Sequence, residues 1–268
     1  MKKILLAGLI ALSSQFALAG MDTKSIDPEF TKIEAMVKAK NMTGAYQALD
    51  KLAKQGNAQA LYNLGYLTQT GQGTAKDEKK AIQLYEQSSA KGYPVASYVL
   101  GKNYITGSMG LKPDPAKAKQ YLEKSASQGF DDASVDLAVL LFSENKPESD
   151  KAGLARLDPL IKKGNYQAVH AKALYDISTG FKNKDEKPIQ QGLSSIQDLA
   201  KKGYIPALMA VGNMFANGNI VPQNLPEAKK IFTALAKENV PQAKASLATV
   251  DKMIAEQAKN PAPAAKKS

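Results

Sequence analysis

One periodicity constrains this chain more than any other feature. Similar segments begin at Gly56, Gly92, Gly129, Gly164, Gly203 and, more weakly, Asn239, at spacings of 36, 37, 35, 39 and 36 residues. Four residues after each start stands an alanine: Ala60, Ala96, Ala133, Ala168, Ala207 and Ala243. Four and five positions further on come Leu64-Gly65, Leu100-Gly101, Leu137-Ala138, Val211-Gly212 and Leu247-Ala248. Only the fourth copy departs, with Lys172-Ala173. A recurrence of this length marks a stacked-repeat architecture, in which each unit buries its apolar side against its neighbours.

The spacing within a copy is helical. Counted from the alanine, offsets 0, 1, 4, 5 and 8 share one face at 3.6 residues per turn, and the small residues among them admit a closely packed second helix. That second helix is expected over Asp77–Lys91, Asp114–Gln128, Ser149–Lys163 and Leu225–Glu238. Asp77, Asp114 and Ser149 serve as N-caps, and Pro115 and Pro226 sit in first turns. Gly92, Gly129, Gly164 and Gly203 suit the left-handed position that ends a helix. Asp27-Pro28 opens a first helix, and Gly44–Gln55 forms its partner. The predicted fold is all-α: a right-handed α-α superhelix of antiparallel helix pairs, one solenoid over residues 20–258 with Pro241–Ala258 as the capping helix. Residues 259–268, built from Pro, Ala, Lys, Asn and Ser, read as a disordered tail.

Residues 1–19, MKKILLAGLIALSSQFALA, read as a secretory signal peptide. Lys2 and Lys3 precede an apolar run, and Ala17-Leu18-Ala19 offers an A-x-A cleavage site. The apolar part is too short to span a bilayer comfortably. The expected location is the periplasm or the exterior, without a stable membrane anchor, as a monomer.

The residues of the first copy carry a family resemblance. Ala60-x-x-x-Leu64-Gly65, Gly71-Gln72-Gly73, Asp77-x-x-Lys80-Ala81, Tyr85 and Ala90-x-Gly92 resemble the Sel1-like repeat, a relative of the tetratricopeptide repeat. The next copy agrees, with Leu100-Gly101, Tyr104, Gly107, Gly110, Asp114, Ala118, Tyr121, Ala126 and Gly129. The fifth keeps Gly212, Gly218, Asn224, Ala228 and Phe232, while the third and fourth lack the Gly-rich connector. The resemblance implies a protein-interaction scaffold. Exported bacterial members are similar to adaptors, inhibitors of partner enzymes, or immunity proteins that neutralise secreted toxins. The implied partner is therefore another protein: a periplasmic enzyme, an envelope protein or a toxin effector.

The helical wheel points to a surface for such a partner. If offsets 0, 4, 5 and 8 pack, offsets 2, 3 and 6 face away from the core. They comprise Tyr62, Tyr98, Val135, His170 and Met209; Asn63, Val99, Asp136, Ala171 and Ala210; Tyr66, Lys102, Val139, Leu174 and Asn213. This face is largely aromatic and aliphatic, which allows two readings. It is either a tyrosine-bearing groove for a segment of another protein, or extra core buried by tight curvature. The candidate contact residues are Tyr62, Asn63, Tyr66, Tyr98, Lys102, Asp136, His170, Met209 and Asn213.

Composition closes off most chemistry. The chain has no Cys and one His, which excludes a thiol nucleophile, disulfides, Cys-ligated metal and any site needing two imidazoles. No cofactor is expected. Ser88-x-x-Lys91 and Ser143-x-x-Lys146 imitate penicillin-interacting serine enzymes but have no K-T-G or S-D-N companion. A cell-wall or β-lactam-interacting enzyme is the alternative function. The resemblance to Cys-rich β-lactam-binding members of the family lapses because the cysteines are missing. Asp131-Asp132, Asp185-Glu186 and the series Asp50, Asp77, Asp114 read as caps and solvated loops rather than metal ligands. Formal net charge is +11, and +9 without Lys2 and Lys3, with Arg156 the single arginine. Scattered lysines favour an acidic partner, whereas nucleic-acid readers select arginine. No nucleic-acid binding is expected.

Overall fold

The structure, a computed structural model, describes residues 28–259. The expected signal peptide, the expected start at Gly20 and the expected tail from Asn260 onward lie outside the described residues. Thirteen helices make up the described chain: α1 (Pro28–Lys38), α2 (Met42–Lys54), α3 (Ala58–Thr70), α4 (Glu78–Ala90), α5 (Pro94–Thr106), α6 (Pro115–Ser127), α7 (Asp131–Ser143), α8 (Pro147–Lys162), α9 (Tyr166–Asn183), α10 (Glu186–Lys201), α11 (Ile205–Asn217), α12 (Leu225–Lys237) and α13 (Ala243–Lys259). No strand occurs among the described residues. Two compact units divide them, 28–160 and 161–259. Within each unit a helix packs mainly on those before and after it in the chain.

Local chemistry sets the helix ends. The Asp77 carboxylate accepts from the Lys80 N–H at 2.9 Å, Asp114 from Lys117 at 3.0 Å, and the Asn224 side chain from Glu227 at 3.1 Å. Each leaves the helix's first amides less exposed to competition from water. The same three residues also close their connectors through the main chain. Asp77 N–H donates to the Thr68 carbonyl (3.0 Å), Asp114 to Tyr104 (2.8 Å) and Asn224 to Phe215 (2.9 Å). Gly71, which ends α3 with φ +70°, turns the chain into the first of these connectors. The copies without the Gly-rich connector solve the junction differently. Three residues join α7 to α8 and two join α9 to α10, where Lys184 adopts φ +56°.

Three sequence expectations are corrected here. Ser149 is not the cap of α8, because Pro147 fixes a helical φ two residues earlier. Its hydroxyl instead donates to the Glu144 carboxylate at 2.5 Å. Asp50 lies inside α2, bridged to Lys54 at 2.6 Å, rather than at a cap or loop. Asp131 and Asp132 form the first turn of α7, whose N-cap is Phe130.

Close helix pairing rests on glycines whose Cα faces a large side chain. A Cβ added at Gly65 on α3 would come within 2.9 Å of the Tyr85 ring on α4, and one at Gly212 on α11 within 2.7 Å of Phe232 on α12. In the third and fourth copies the arrangement is inverted. Gly153, on the second helix of its pair, faces Phe142 on the first, and Gly192 on α10 faces Ile177 and the Ala173 carbonyl on α9. Each of these four pairs therefore sets a glycine on one helix against a larger side chain on the other, and which helix supplies the glycine is interchangeable.

Candidate partner-binding surface

The nine candidate residues separate into three environments. Tyr62 is core: only 4% of it is exposed, and its ring centroid lies 5.5 Å from Tyr85 and 5.3 Å from Tyr93. The expectation that it lines an open groove is corrected. Burial pushes its hydroxyl pKa well up, and the Tyr93 hydroxyl likewise, to about 12. A wheel drawn on one helix pair shows one buried side, but a repeat has a second one against the next copy. Tyr62 occupies that second side. Tyr66 is half-buried against the N-terminal core cluster, and Asn63 is half-buried beside it in α3.

Tyr98, Lys102 and Asp136 do come together, from α5 and α7. The Tyr98 hydroxyl donates to Asp136 Oδ2 at 3.0 Å, and Lys102 Nζ donates to the same oxygen at 2.8 Å. The Tyr98 ring rests on Phe130 at 5.0 Å. Asp132, one turn before Asp136, has its pKa raised by burial and by the neighbouring carboxylates of Asp136 and Asp131, an effect that Lys102 partly offsets. The cluster thus joins two consecutive copies by one shared carboxylate, and it leaves Lys102 largely in solvent.

In the second unit, His170 is half-buried. Its ring meets Tyr204 edge-on at 5.7 Å, and its Nε2 is enclosed without a hydrogen-bond partner. Burial lowers its pKa, so the imidazole is neutral at physiological pH. Met209 is half-buried against the C-terminal core cluster, and Asn213 is exposed.

The wheel missed two groups. One comprises Tyr93, Phe130 and Tyr204, the residues that follow Gly92, Gly129 and Gly203 and receive the offset-2 ring of the preceding copy. Their regular place after the glycine was the available signal. The other comprises Val37, Ile105, Tyr166 and Phe181, which with Val139 and Leu174, already on the wheel's outward face, are the large apolar side chains in solvent among the described residues; every one lies on the first helix of a pair: α1, α5, α7 or α9. A shallow cleft of about 340 Å³ between α4, α5 and α6 is lined by Glu86, Tyr104, Lys117, Gln120, Tyr121 and Lys124. There the rings of Tyr104 and Tyr121 stack at 5.7 Å, with Lys117 Nζ 5.2 Å from the Tyr104 centroid.

The two serines that imitate a catalytic motif donate to main-chain carbonyls. Ser88 Oγ donates to the Ala58 carbonyl at 2.6 Å, tying the end of α4 to the start of α3, and Ser143 Oγ donates to the Leu140 carbonyl at 2.6 Å within α7. Ser125, outside either motif, repeats the Ser88 contact one copy later, donating to the Pro94 carbonyl at 2.8 Å. No group of three His, Cys, Asp or Glu among the described residues is placed to hold a metal ion. No described helix is long and apolar enough to cross a membrane.

Comparison with known proteins agrees with this architecture. The Sel1 repeat model matches residues 58–93, 94–130 and 205–240, the three copies that share the Asp or Asn connector. Protein sel-1 homolog 2 of Homo sapiens is 37% identical over 67 residues, which covers 25% of this chain and 10% of that protein. The chain thus spans about a tenth of the length of this curated relative. Among solved structures, a Sel1 repeat protein from Oxalobacter formigenes superposes with a TM-score of 0.63 at 23% identity, covering 83% of this chain and 87% of that one. A protective antigen of uropathogenic Escherichia coli with an SLR fold gives 0.56 at 21% identity, over 84% of this chain and 53% of that one. These likenesses establish the fold. Sel1 repeats are protein-interaction modules, and this chain carries three of them, over residues 58–93, 94–130 and 205–240.

Proposed function

We propose that this protein is a non-enzymatic scaffold that holds a partner protein on the first-helix surface of its repeats, after export to the periplasm. One observation carries the reading: the exposed large apolar side chains of the described residues are confined to first helices, with Val139 50% and Leu174 43% exposed. Second helices present lysines, glutamates and glutamines to solvent at the corresponding places, as in Lys79, Gln83, Glu86 and Gln87 of α4. Apolar side chains held in water on one class of helix gain by being covered.

Lys2, Lys3 and Ala17-Leu18-Ala19 support export, with the mature chain starting at Gly20. Within this reading the protein is an adaptor, or an inhibitor or immunity protein for a secreted toxin effector. A toxin gene beside its own would favour immunity.

The test is cross-linking in the periplasm followed by affinity capture of the mature chain. Recovery of a stoichiometric partner by the wild type, and its loss from a Val139→Glu, Leu174→Glu variant, is the expected result. A chain that captures nothing in stoichiometric amount would overturn the scaffold reading. Hydrolysis of peptidoglycan or a β-lactam by the purified chain would replace it with the enzymatic alternative.

A further inference from the structure

Three of the six exposed large apolar side chains belong to one helix. On α9, Tyr166 is 42% exposed, Leu174 43% and Phe181 48%. This helix runs for 18 residues, against 13 in α3, α5, α7 and α11, and Phe181 lies in the added length. Gln167, Leu174 and Phe181 recur every seven residues, which turns each about 20° from the last and keeps all three within about 40° at 3.6 residues per turn. Ser178, a turn beyond Leu174, is also exposed, so the stripe carries no charge over roughly 20 Å. Its face is not that of Asp176, the acidic residue of α9. Asp176 is two positions from Leu174, on nearly the opposite side of the helix, and is held by Lys172 at 2.6 Å.

Cations stand at both ends of the stripe. Lys202 Nζ lies 5.5 Å from the Tyr166 centroid at the N-terminal end, and Lys182 and Lys184 are exposed beside Phe181 at the other. Asp185 follows there, but its carboxylate accepts from the Lys187 N–H as the cap of α10; Glu186 lies in that helix's first turn.

An uncharged stripe with a seven-residue repeat, bounded by lysines, has a definite complement. We infer that α9 docks an amphipathic α-helix of the partner protein, with apolar side chains seven residues apart that cover Leu174 and Phe181 and carboxylates that meet Lys202 and Lys182. A helix laid along α9 matches its repeat over two turns, which an extended strand, with its period of two, does not. This inference rests on the scaffold reading and adds to it the docking element and the chemistry of the occupant.

The experiment places a photo-cross-linking amino acid at Leu174, at Phe181 and, as a control on a second helix, at Glu123 of α6, in the full-length chain in its own cells. Cross-linked partner peptides are then sequenced by mass spectrometry. Expected are adducts from positions 174 and 181, not 123, to a peptide with apolar residues seven apart flanked by Asp or Glu. Capture should fall about tenfold or more in Phe181→Ala. It should fall again in Lys202→Glu, and it should weaken as salt is raised. Unchanged helical circular dichroism separates these losses from misfolding. An adduct to a second copy of this chain, or to a peptide lacking that pattern, overturns the inference. So does a partner that cross-links at other first helices while positions 174 and 181 stay silent; the scaffold reading survives that result. Absence of a partner from every position sinks both.

Discussion

The ring of Tyr62 lies 5.3 Å from that of Tyr93, the residue that precedes the first helix of the next copy. The same positions meet again as Tyr98 with Phe130 at 5.0 Å, and as His170 with Tyr204 at 5.7 Å. Tyr93, Phe130 and Tyr204 make no side-chain cap bond, unlike Asn57 and Asn165 at the corresponding place. A cap hydrogen bond has been exchanged there for an aromatic contact between copies. Because both partners of such a contact belong to consecutive repeats, it couples their folding rather than stabilising either alone.

Tyr62→Ala should therefore behave as a core truncation, costing about 3–5 kcal/mol of unfolding free energy. Combined with Tyr93→Ala in a double-mutant cycle, it should show a coupling of about 0.5–1.5 kcal/mol. Denaturant unfolding of the four proteins measures both. Additive losses would mean that the two rings are independent.

Much of the fold was legible because its signals are local. Asp77 and Asp114 announce helix starts through a side chain that bonds three residues ahead, a geometry that any sequence window contains. Ser149 misled because the same chemistry was available to it, while Pro147 opened the helix sooner. The surface was harder to read. A wheel identifies the side turned away from the pair's own core, and that served for Asn213 and for Lys102. It could not tell Tyr62 from an exposed residue, since burial by the adjoining copy depends on the stacking of pairs. The meeting of Tyr98 and Lys102 with Asp136 has the same origin: one repeat's translation brings offset 3 of a copy beside offsets 2 and 6 of the copy before it. The inversion of glycine and large side chain in the third and fourth copies follows from packing between helices, which no single helix records.

Gly192→Ala tests that inversion. A Cβ there would lie 2.5 Å from the Ala173 carbonyl oxygen, a main-chain atom that cannot turn aside as a side chain does. Alanine is the better helix former by about 0.5–1 kcal/mol, so propensity alone predicts a gain. The clash should outweigh it, with a net loss of about 1–3 kcal/mol in chemical denaturation. A more stable variant would show that α9 and α10 are not held at this separation by Gly192.

His170 makes stability depend on pH with a definite sign. Burial lowers its folded-state pKa below the unfolded value near 6.5, so the unfolded chain binds the proton first as pH falls. Its contribution is fully present above about pH 6.5 and is lost as pH falls from there toward the folded-state pKa. As His170 is the one imidazole in the chain, the effect should not be masked by another. The melting temperature of the wild type should drop between pH 7 and pH 5.5 relative to His170→Phe, which keeps an aromatic ring against Tyr204. Parallel curves for the two proteins would refute the assignment.

Ser88 separates a structural hydroxyl from a nucleophile. Ser88→Ala removes the donor to the Ala58 carbonyl, so about 1 kcal/mol of stability should disappear. Mature wild-type protein incubated with a chromogenic β-lactam should show no turnover above buffer. Turnover abolished by Ser88→Ala would revive the enzymatic reading.

Val139 and Leu174 give the opposite profile from Tyr62. Both side chains stand in water, so Val139→Glu and Leu174→Glu remove little packing, and each should leave stability within about 0.5 kcal/mol of wild type. A carboxylate at either place would instead have to be desolvated beneath a docked partner, which costs binding free energy without touching the fold. Thermal melts should superimpose on the wild-type curve while partner capture is lost. The contrast with Tyr62→Ala decides between interface and core: a residue of the core lowers the melting temperature whatever happens to binding, and a residue of the interface lowers binding alone. Melts depressed by either glutamate would return that position to the core and remove it from the surface proposed here.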